Sequence, residues 1–284
     1  MASVGWALML LLAQLHSLAT THANDANLTL QTAPSLCHPG QAGVLLKLKR
    51  SFIFDLDSTT TLQSWQPGSD CCLWEGVGCS NTSGLVTVLD LSGVGLHSKG
   101  IDTVIFNLTS LRLLDLSMND FGGMNYVNPS DGFERLSLLT HLNLSNAGIT
   151  GQIPKGIRKL TNLVTLDLSC SFTITDDGGN IEACEPWEDT FQNLVANLSN
   201  LRELKLDGVF ISAPAEDCFK ALAKSVPHLR ILSLDSCWLQ GYIDHSLSRL
   251  QFLRVINLSN NYRMNPGSRL VLQSESVRAH AKSF

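Results

Sequence analysis

The sequence predicts an α/β repeat solenoid, right-handed, with a curved parallel β-sheet on its concave face, short helical or 3-10 turns on its return side, and a disulfide-bonded N-terminal cap. Three observations carry this. One phrase (an apolar residue, two variable ones, an apolar residue, one variable, an apolar residue) recurs seven times between Val86 and Leu258. Its first anchors are Val86, Leu111, Leu139, Leu163, Leu201, Leu229 and Leu253, at intervals of 25, 28, 24, 38, 28 and 24 residues. A segment rich in Cys and Trp precedes the first phrase, where an array of repeats needs its exposed end covered.

Residues 1–23 open with MASVGWALMLLLAQL and lead to small residues around Ala19 and Ala23, the pattern of a cleavable signal peptide, although no Lys or Arg stands at its start. The run is short for a spanning helix, and no later stretch approaches 18 apolar residues. The expected route is therefore the secretory pathway, with an extracellular, apoplastic destination and no membrane anchor in the chain as written.

Residues 24–84 form the expected cap. Val44, Leu45, Leu46, Leu48 and Phe52 fit one amphipathic helix, and Trp65 and Trp74 are placed to cover the first repeat. Cys37, Cys71, Cys72 and Cys79 fall here, and spacing alone leaves their three pairings open. All eight cysteines, together with the sequons at Asn27, Asn81, Asn107, Asn143, Asn197 and Asn257, suit an oxidising compartment. Asn128 is excluded by Pro129.

Residues 85–262 carry the repeats. Except for the 38, their intervals fall in or at the edge of the leucine-rich-repeat window. Within each phrase the first, fourth and sixth residues point inward, as with Leu111, Leu114 and Leu116. Upstream anchors recur in threes: Ile105 and Leu108, Phe133 and Leu136, Ile157 and Leu160, Val195 and Leu198, Leu247 and Leu250. Such steps fit a short helical or 3-10 return segment; a bundle of helices is disfavoured because the threes give way to alternation at every strand. The ninth position, usually Asn, holds Asn119 and Asn261 in two repeats, Cys237 in one, and Val94, Ala147, Ser171 and Val209 elsewhere. Less regular, more mobile loops are expected in the units lacking Asn.

The third repeat continues NAGITGQIPKGIRKLTNL, with Gly151, Ile153 and Pro154; the sixth continues LQGYIDHSLSRLQFL, keeping Gly241 and Ile243 but with Asp244 in place of Pro. This LxGxIP pattern resembles that of plant extracellular leucine-rich repeats. The text CHPGQAGVLLKLKRSF followed by LQSWQPGSDCCLWEGVGC resembles the N-terminal cap of plant receptor-like proteins, receptor-like kinases and polygalacturonase-inhibiting proteins. The resemblance implies the bridges Cys37–Cys71 and Cys72–Cys79. For the remaining four cysteines, Cys170 with Cys184 would staple the long interval, contributing on the order of 3 kcal/mol. Cys218 would then pair with Cys237, unless Cys237 only replaces the ladder Asn as a small buried residue.

Candidate binding residues lie on the outward strand positions. Arg112, Arg202, Arg230 and Arg254 share the second position, and Asp90, Asp115, Asp167 and Lys205 the fifth; Glu203 adjoins Arg202 and Lys205. These charges can orient a peptide or protein, or they are consensus positions that face solvent. The insertion near 171–190 is acidic, carrying Asp176, Asp177 and Trp187, and reads either as a contact loop or as a solvent excursion. Looped-out islands in plant receptor-like proteins imply the former. Asn107 and Asn197 fall on the return side, whereas Asn143 and Asn257 occupy the fifth strand position; glycans there would move a large partner towards the acidic loop or a lateral edge.

No catalytic constellation and no metal-binding spacing is present: the eight histidines are scattered, and HExxH, GxSxG and phosphate-binding glycine loops are missing. No cofactor and no enzymatic activity are expected. A net charge of −5 with interspersed signs argues against a nucleic-acid partner.

The fragments LKLDGVFISA, EDCFKAL and LRILSLDSCWLQGYI resemble early repeats of plant receptor-like proteins of the disease-resistance type. That resemblance implies an N-terminal ectodomain portion that recognises a pathogen-derived protein or peptide and signals through a co-receptor kinase at the plasma membrane. Two other readings stand beside it: a soluble inhibitor of pathogen cell-wall hydrolases, and a nonfunctional or decoy truncated product. Residues 263–284 lose the repeat and are expected to be a disordered tail without a C-terminal cap.

Overall fold

A computed structural model describes residues 37–53, 61–122, 132–149, 153–170, 191–261, 263–264 and 278–279. The chain divides into two compact units, Met1–Ser35 and Leu36–Phe284. The signal segment and Asn27 lie outside the described residues, as do the insertion with Asp176, Asp177, Cys184 and Trp187. The second unit carries the cap and the repeats.

The cap begins with helix α1, Pro39–Ser51, whose buried face is Gln41, Leu45 and Leu48. Phe52 is buried just past its end. Trp65 and Trp74 stack with ring centroids 5.5 Å apart, both nearly inaccessible. Their indole N–H groups donate to the Glu75 carbonyl and to Ser69 Oγ, which satisfies the polar ends of two buried rings. Disulfides Cys37–Cys71 and Cys72–Cys79 close the segment. Strand β1 (Val77–Cys79) pairs antiparallel with β2 (Val86–Asp90), turning the cap into the first repeat.

From β2 onward the sheet is parallel: β3 (Leu113–Asp115), β4 (His141–Asn143), β5 (Thr165–Asp167), β6 (Glu203–Lys205), β7 (Ile231–Ser233) and β9 (Val255–Asn257) follow in sequence order. The register is constant. Leu114, Leu142, Leu166, Leu204, Leu232 and Ile256, the fourth anchors, stand side by side. The 38-residue interval does not disturb it, since Thr165 pairs with Glu203 as Glu203 does with Ile231. First, fourth and sixth anchors are buried in every repeat, as are the upstream apolar residues on the return side. The chain is a leucine-rich-repeat solenoid with an N-terminal cap.

The return segments are single 3-10 turns at Thr103–Asn107, Phe133–Arg135, Lys155–Lys159 and His245–Arg249. Two are α-helical: α2 (Phe191–Val195) and α3 (Ala215–Ser225). Helix α3 is longer than the short turns expected, because the 28-residue interval from Leu201 to Leu229 holds AEDCFKALAKS, with Glu216 and Asp217 in the first turn and Lys224 in the last. The buried side chains Cys218, Phe219 and Leu222 fill the core beside it.

The expected irregularity of turns lacking Asn does not occur at Val94, Ala147, Val209 or Cys237. In six repeats the eighth residue is left-handed: Gly93, Met118, Asn146, Gly208, Ser236 and Asn260 have φ between 51° and 77°. Wherever another repeat comes next, the eighth amide donates to its seventh carbonyl, from Gly93 on Ser117 to Ser236 on Ser259. The turn is held between repeats and keeps its shape in these six, whether the ninth residue is Asn, Val, Ala or Cys.

Two short strands are described beyond the last repeat. Strand β10 (Arg263–Met264) runs parallel to β8 (Gln240–Gly241), and β11 (Arg278–Ala279) runs parallel to β9. Each pair is separated in sequence by close to one repeat length, so these two dipeptides lie where a further coil would place its strands. Pairing with β11 covers part of the edge of β9, which would otherwise be open as a template for pairing.

Candidate recognition surface

Outward residues of the parallel strands form columns about 5 Å apart. The fifth position is a turn-capping column. Asp90, Asp115, Asn143, Asp167 and Asn257 each accept, through Oδ1, the backbone N–H of the seventh residue two places on. Asp90 and Asp115 also accept from the hydroxyls of Ser92 and Ser117. The Asp column thus folds the chain, as Asx turns do. At Asn143 the amide is used twice: it donates to Asp115 Oδ2 at 2.8 Å while its carbonyl caps Ser145.

Lys205 and Ser233 interrupt this column, and there the acid moves to the seventh position as Asp207 and Asp235. The link then runs between repeats: the Asp207 N–H donates to Ser169 Oγ, and the Asp235 N–H donates to Asp207 Oδ1. Burial raises the Asp207 pKa above the usual carboxylate value, with Asp235 and Asp167 adding to the effect. These two acids are not among the residues singled out from the sequence; replacement of the usual Ser by Asp at two successive seventh positions is the signal that points to them.

The central charge group is Lys205. Its Nζ lies 2.6 Å from Glu203 and 3.8 Å from Asp167, and the hydrogen bond to Glu203 raises its pKa. Glu203 is therefore partnered by Lys205 and not by Arg202. Arg112, Arg202, Arg230 and Arg254 are all exposed. Asn81, Asn107 and Asn197 are exposed as well, whereas Asn143 and Asn257 are half-buried within the sheet face.

Cys170 is disulfide-bonded, but Cys218 and Cys237 are free and buried, which corrects the expected bridge between them. Cys237 stands in the ladder position, where its thiol donates to the carbonyls of Leu206 and Asp235. Asn261 fills the same place one repeat on, donating to Leu234, Leu258 and Ser259. Burial pushes the Cys218 thiol up to about 12, and Cys237 rises further. Among the described residues the one grouping with metal-ligand spacing is Cys37, Cys71 and Cys72, whose sulfurs are taken by the cap bridges.

Comparison with known proteins agrees with this architecture. Residues 38–80 match the leucine rich repeat N-terminal domain, and residues 138–160 match the leucine rich repeat. Receptor-like protein 6 of Arabidopsis thaliana is 36% identical over 193 residues, covering 62% of this chain and 19% of that protein. Receptor-like protein Cf-9 of Solanum pimpinellifolium is 32% identical over 196 residues, covering 63% and 21%. The chain thus spans about a fifth of the length of these relatives. Among solved structures, the ectodomain of the Arabidopsis receptor kinase HAESA, in complex with an IDA peptide hormone ligand, superposes with a TM-score of 0.57 at 29% identity, covering 80% of this chain and 38% of that one. HAESA has also been solved with both IDA and the co-receptor SERK1, and superposes with a TM-score of 0.56 at 29% identity, covering 78% of this chain and 38% of that one. The chain resembles the N-terminal ectodomain portion of plant leucine-rich-repeat receptor-like proteins.

Proposed function

We propose that this chain is an extracellular recognition module of the receptor-like-protein kind, binding a peptide or protein that signals pathogen presence and engaging a co-receptor kinase for output. The observation that carries the reading is the open sheet face around β5–β7. There Lys205, Glu203 and Asp167 make a fixed, half-exposed ion-pair group on a rigid parallel sheet. Such a group orients a partner more than it strengthens binding. The likeness to receptor ectodomains supports the same reading. Secretion and an extracellular position belong to this proposal; among the described residues no helix is long and apolar enough to cross a membrane.

The test is ligand-dependent association. The secreted chain is mixed with fractionated pathogen culture filtrate and a co-receptor kinase ectodomain, and complex formation is followed by size-exclusion chromatography. Filtrate-dependent association, lost in Glu203→Lys and in Lys205→Glu, is the expected result. Dose-dependent inhibition of a wall hydrolase without association would favour the inhibitor reading, and neither outcome would favour a decoy.

A further inference from the structure

Two kinds of Asn-x-Ser/Thr sequon occupy different parts of the solenoid. Asn143 and Asn257 head the tripeptide Asn-Leu-Ser at the fifth strand position, and both are half-buried. The fold accounts for every residue of that tripeptide. The asparagine Oδ1 accepts the N–H of Ser145 or Ser259, the leucine is the buried sixth anchor, and the serine supplies the capped amide. Asp115 and Asp167 do the same work with a carboxylate, capping Ser117 and Ser169. The column needs an acceptor oxygen, and the sequon arises there as a by-product of the repeat.

Asn107 and Asn197 differ. Each stands four residues before the next first anchor, where other repeats carry Arg135, Lys159, Ser225 and Arg249. The fold thus sets no requirement for an amide at this place. Asn107 is exposed, and its Oδ1 accepts from Arg135 Nη2 at 2.8 Å, which leaves its Nδ2 outside that bond. Asn197 is exposed, and among the described residues its side chain makes no hydrogen bond. Thr109 and Ser199, both exposed, complete the two sequons.

We infer that Asn107 and Asn197 carry asparagine-linked oligosaccharides and that Asn143 and Asn257 do not. In the transfer Nδ2 loses a proton and bonds to C1 of the first sugar, while the C1–O bond to a polyprenyl diphosphate carrier breaks and the diphosphate leaves. Asn107 and Asn197 hold the sugar in water without giving up a contact. At Asn143 the same Nδ2 donates to Asp115 Oδ2 at 2.8 Å, and the neighbouring strands bring Asp115 and Asp167 to about 5 Å on either side. Transfer precedes folding, so a chain with sugar at Asn143 has to close its turn with a sugar ring wedged against a half-buried column. Chains bare at that position fold with the column intact and are the ones released. This inference rests on the secretory reading proposed above. Its consequence is directional: sugars cover the return turns that feed β3 and β6, and the sheet face with Lys205, Glu203 and Asp167 stays open to a partner.

The full chain is expressed in plant cells with its own leader, and intact glycopeptides of the protein recovered from cells and medium are read by mass spectrometry. Oligosaccharide on the peptides containing Asn107 and Asn197, and bare peptides for Asn143 and Asn257, is the expected pattern. Thr109→Ala and Ser199→Ala should each remove one oligosaccharide while leaving the asparagine in place. Ser145→Ala should change neither the glycan pattern nor the melting temperature, because the group that Asn143 caps is the backbone amide. Sugar at Asn143 or Asn257, or its lack at Asn107 or Asn197 in a chain whose leader has been removed, overturns the inference. A sugar-free chain that keeps residues 1–23 overturns the secretory reading, and the inference with it.

Discussion

The side-chain carbonyl of Asn261 accepts the backbone N–H of Cys237 at 3.0 Å, while the Cys237 thiol reaches back to the Leu206 carbonyl at 3.1 Å. A thiol thereby continues a polar ladder that an amide began. The Asn261 side-chain carbonyl also accepts from Leu239 N–H, a role in which sulfur is the weaker acceptor.

Restoring the amide should therefore strengthen the sixth turn. Cys237→Asn is expected to raise unfolding stability by about 1 kcal/mol, and Cys237→Val to lower it by a similar amount through loss of a buried donor. Urea denaturation checks both; a destabilised Cys237→Asn would show that the thiol's size matters more than its hydrogen bonds.

Alkaline stability depends on the same thiols. Folded Cys218 ionises only near 12, against an ordinary 9.0, and Cys237 is raised further. Folding thus keeps protons that the unfolded chain releases. The associated stability is complete below the ordinary thiol pKa and declines as pH rises from there towards the folded values. Melting temperature should fall more steeply above about pH 9 in the native chain than in Cys218→Ala/Cys237→Val, with parallel curves below.

Gln41 ties the cap to the first repeat. Its carbonyl accepts the Val86 amide at 2.6 Å, and its Nε2 donates to Ser110 Oγ, which itself donates to the Val86 carbonyl. Gln41→Ala leaves the Val86 N–H buried and unmatched. A loss of about 2 kcal/mol is expected in chemical denaturation, with earlier hydrogen exchange at β2 than at β6.

Asp244 and Pro154 start equivalent return turns by different means. Asp244 accepts the Ser246 N–H at 2.8 Å, and hydrogen bonding to Ser246 holds its carboxyl below the usual range. Pro154 has no side-chain cap and instead presets φ near −56°. Asp244→Ala should cost about 1 kcal/mol, and Asp244→Pro should recover much of that. The Asp contribution is present above the ordinary carboxylate pKa and is lost as pH falls through the lowered folded value, so the native chain and Asp244→Ala should converge in stability in acid.

The inward anchors were legible because period and burial are the same fact in a repeat: Leu114, Leu142 and Leu166 face the core wherever the phrase recurs. The cap bridges came from a resemblance, since four cysteines leave the pairing open. The left-handed eighth residue was not legible, because Met118 and Ser236 occupy it alongside Gly93 and Gly208. Neighbouring backbone imposes that conformation, and no side-chain preference advertises it. Among the candidate site residues, the sequence placed the arginines on the surface but left the partner of Glu203 open, because Arg202 and Lys205 both lie near it along the chain and only the alternation of the strand separates them.

The constant register across β5 and β6 makes the stretch between Cys170 and Phe191 interchangeable. Loop closure depends only weakly on length, and both flanking strands find each other through their own amides. Segments of different length and chemistry can be accommodated at this junction while the coils on either side stay in step.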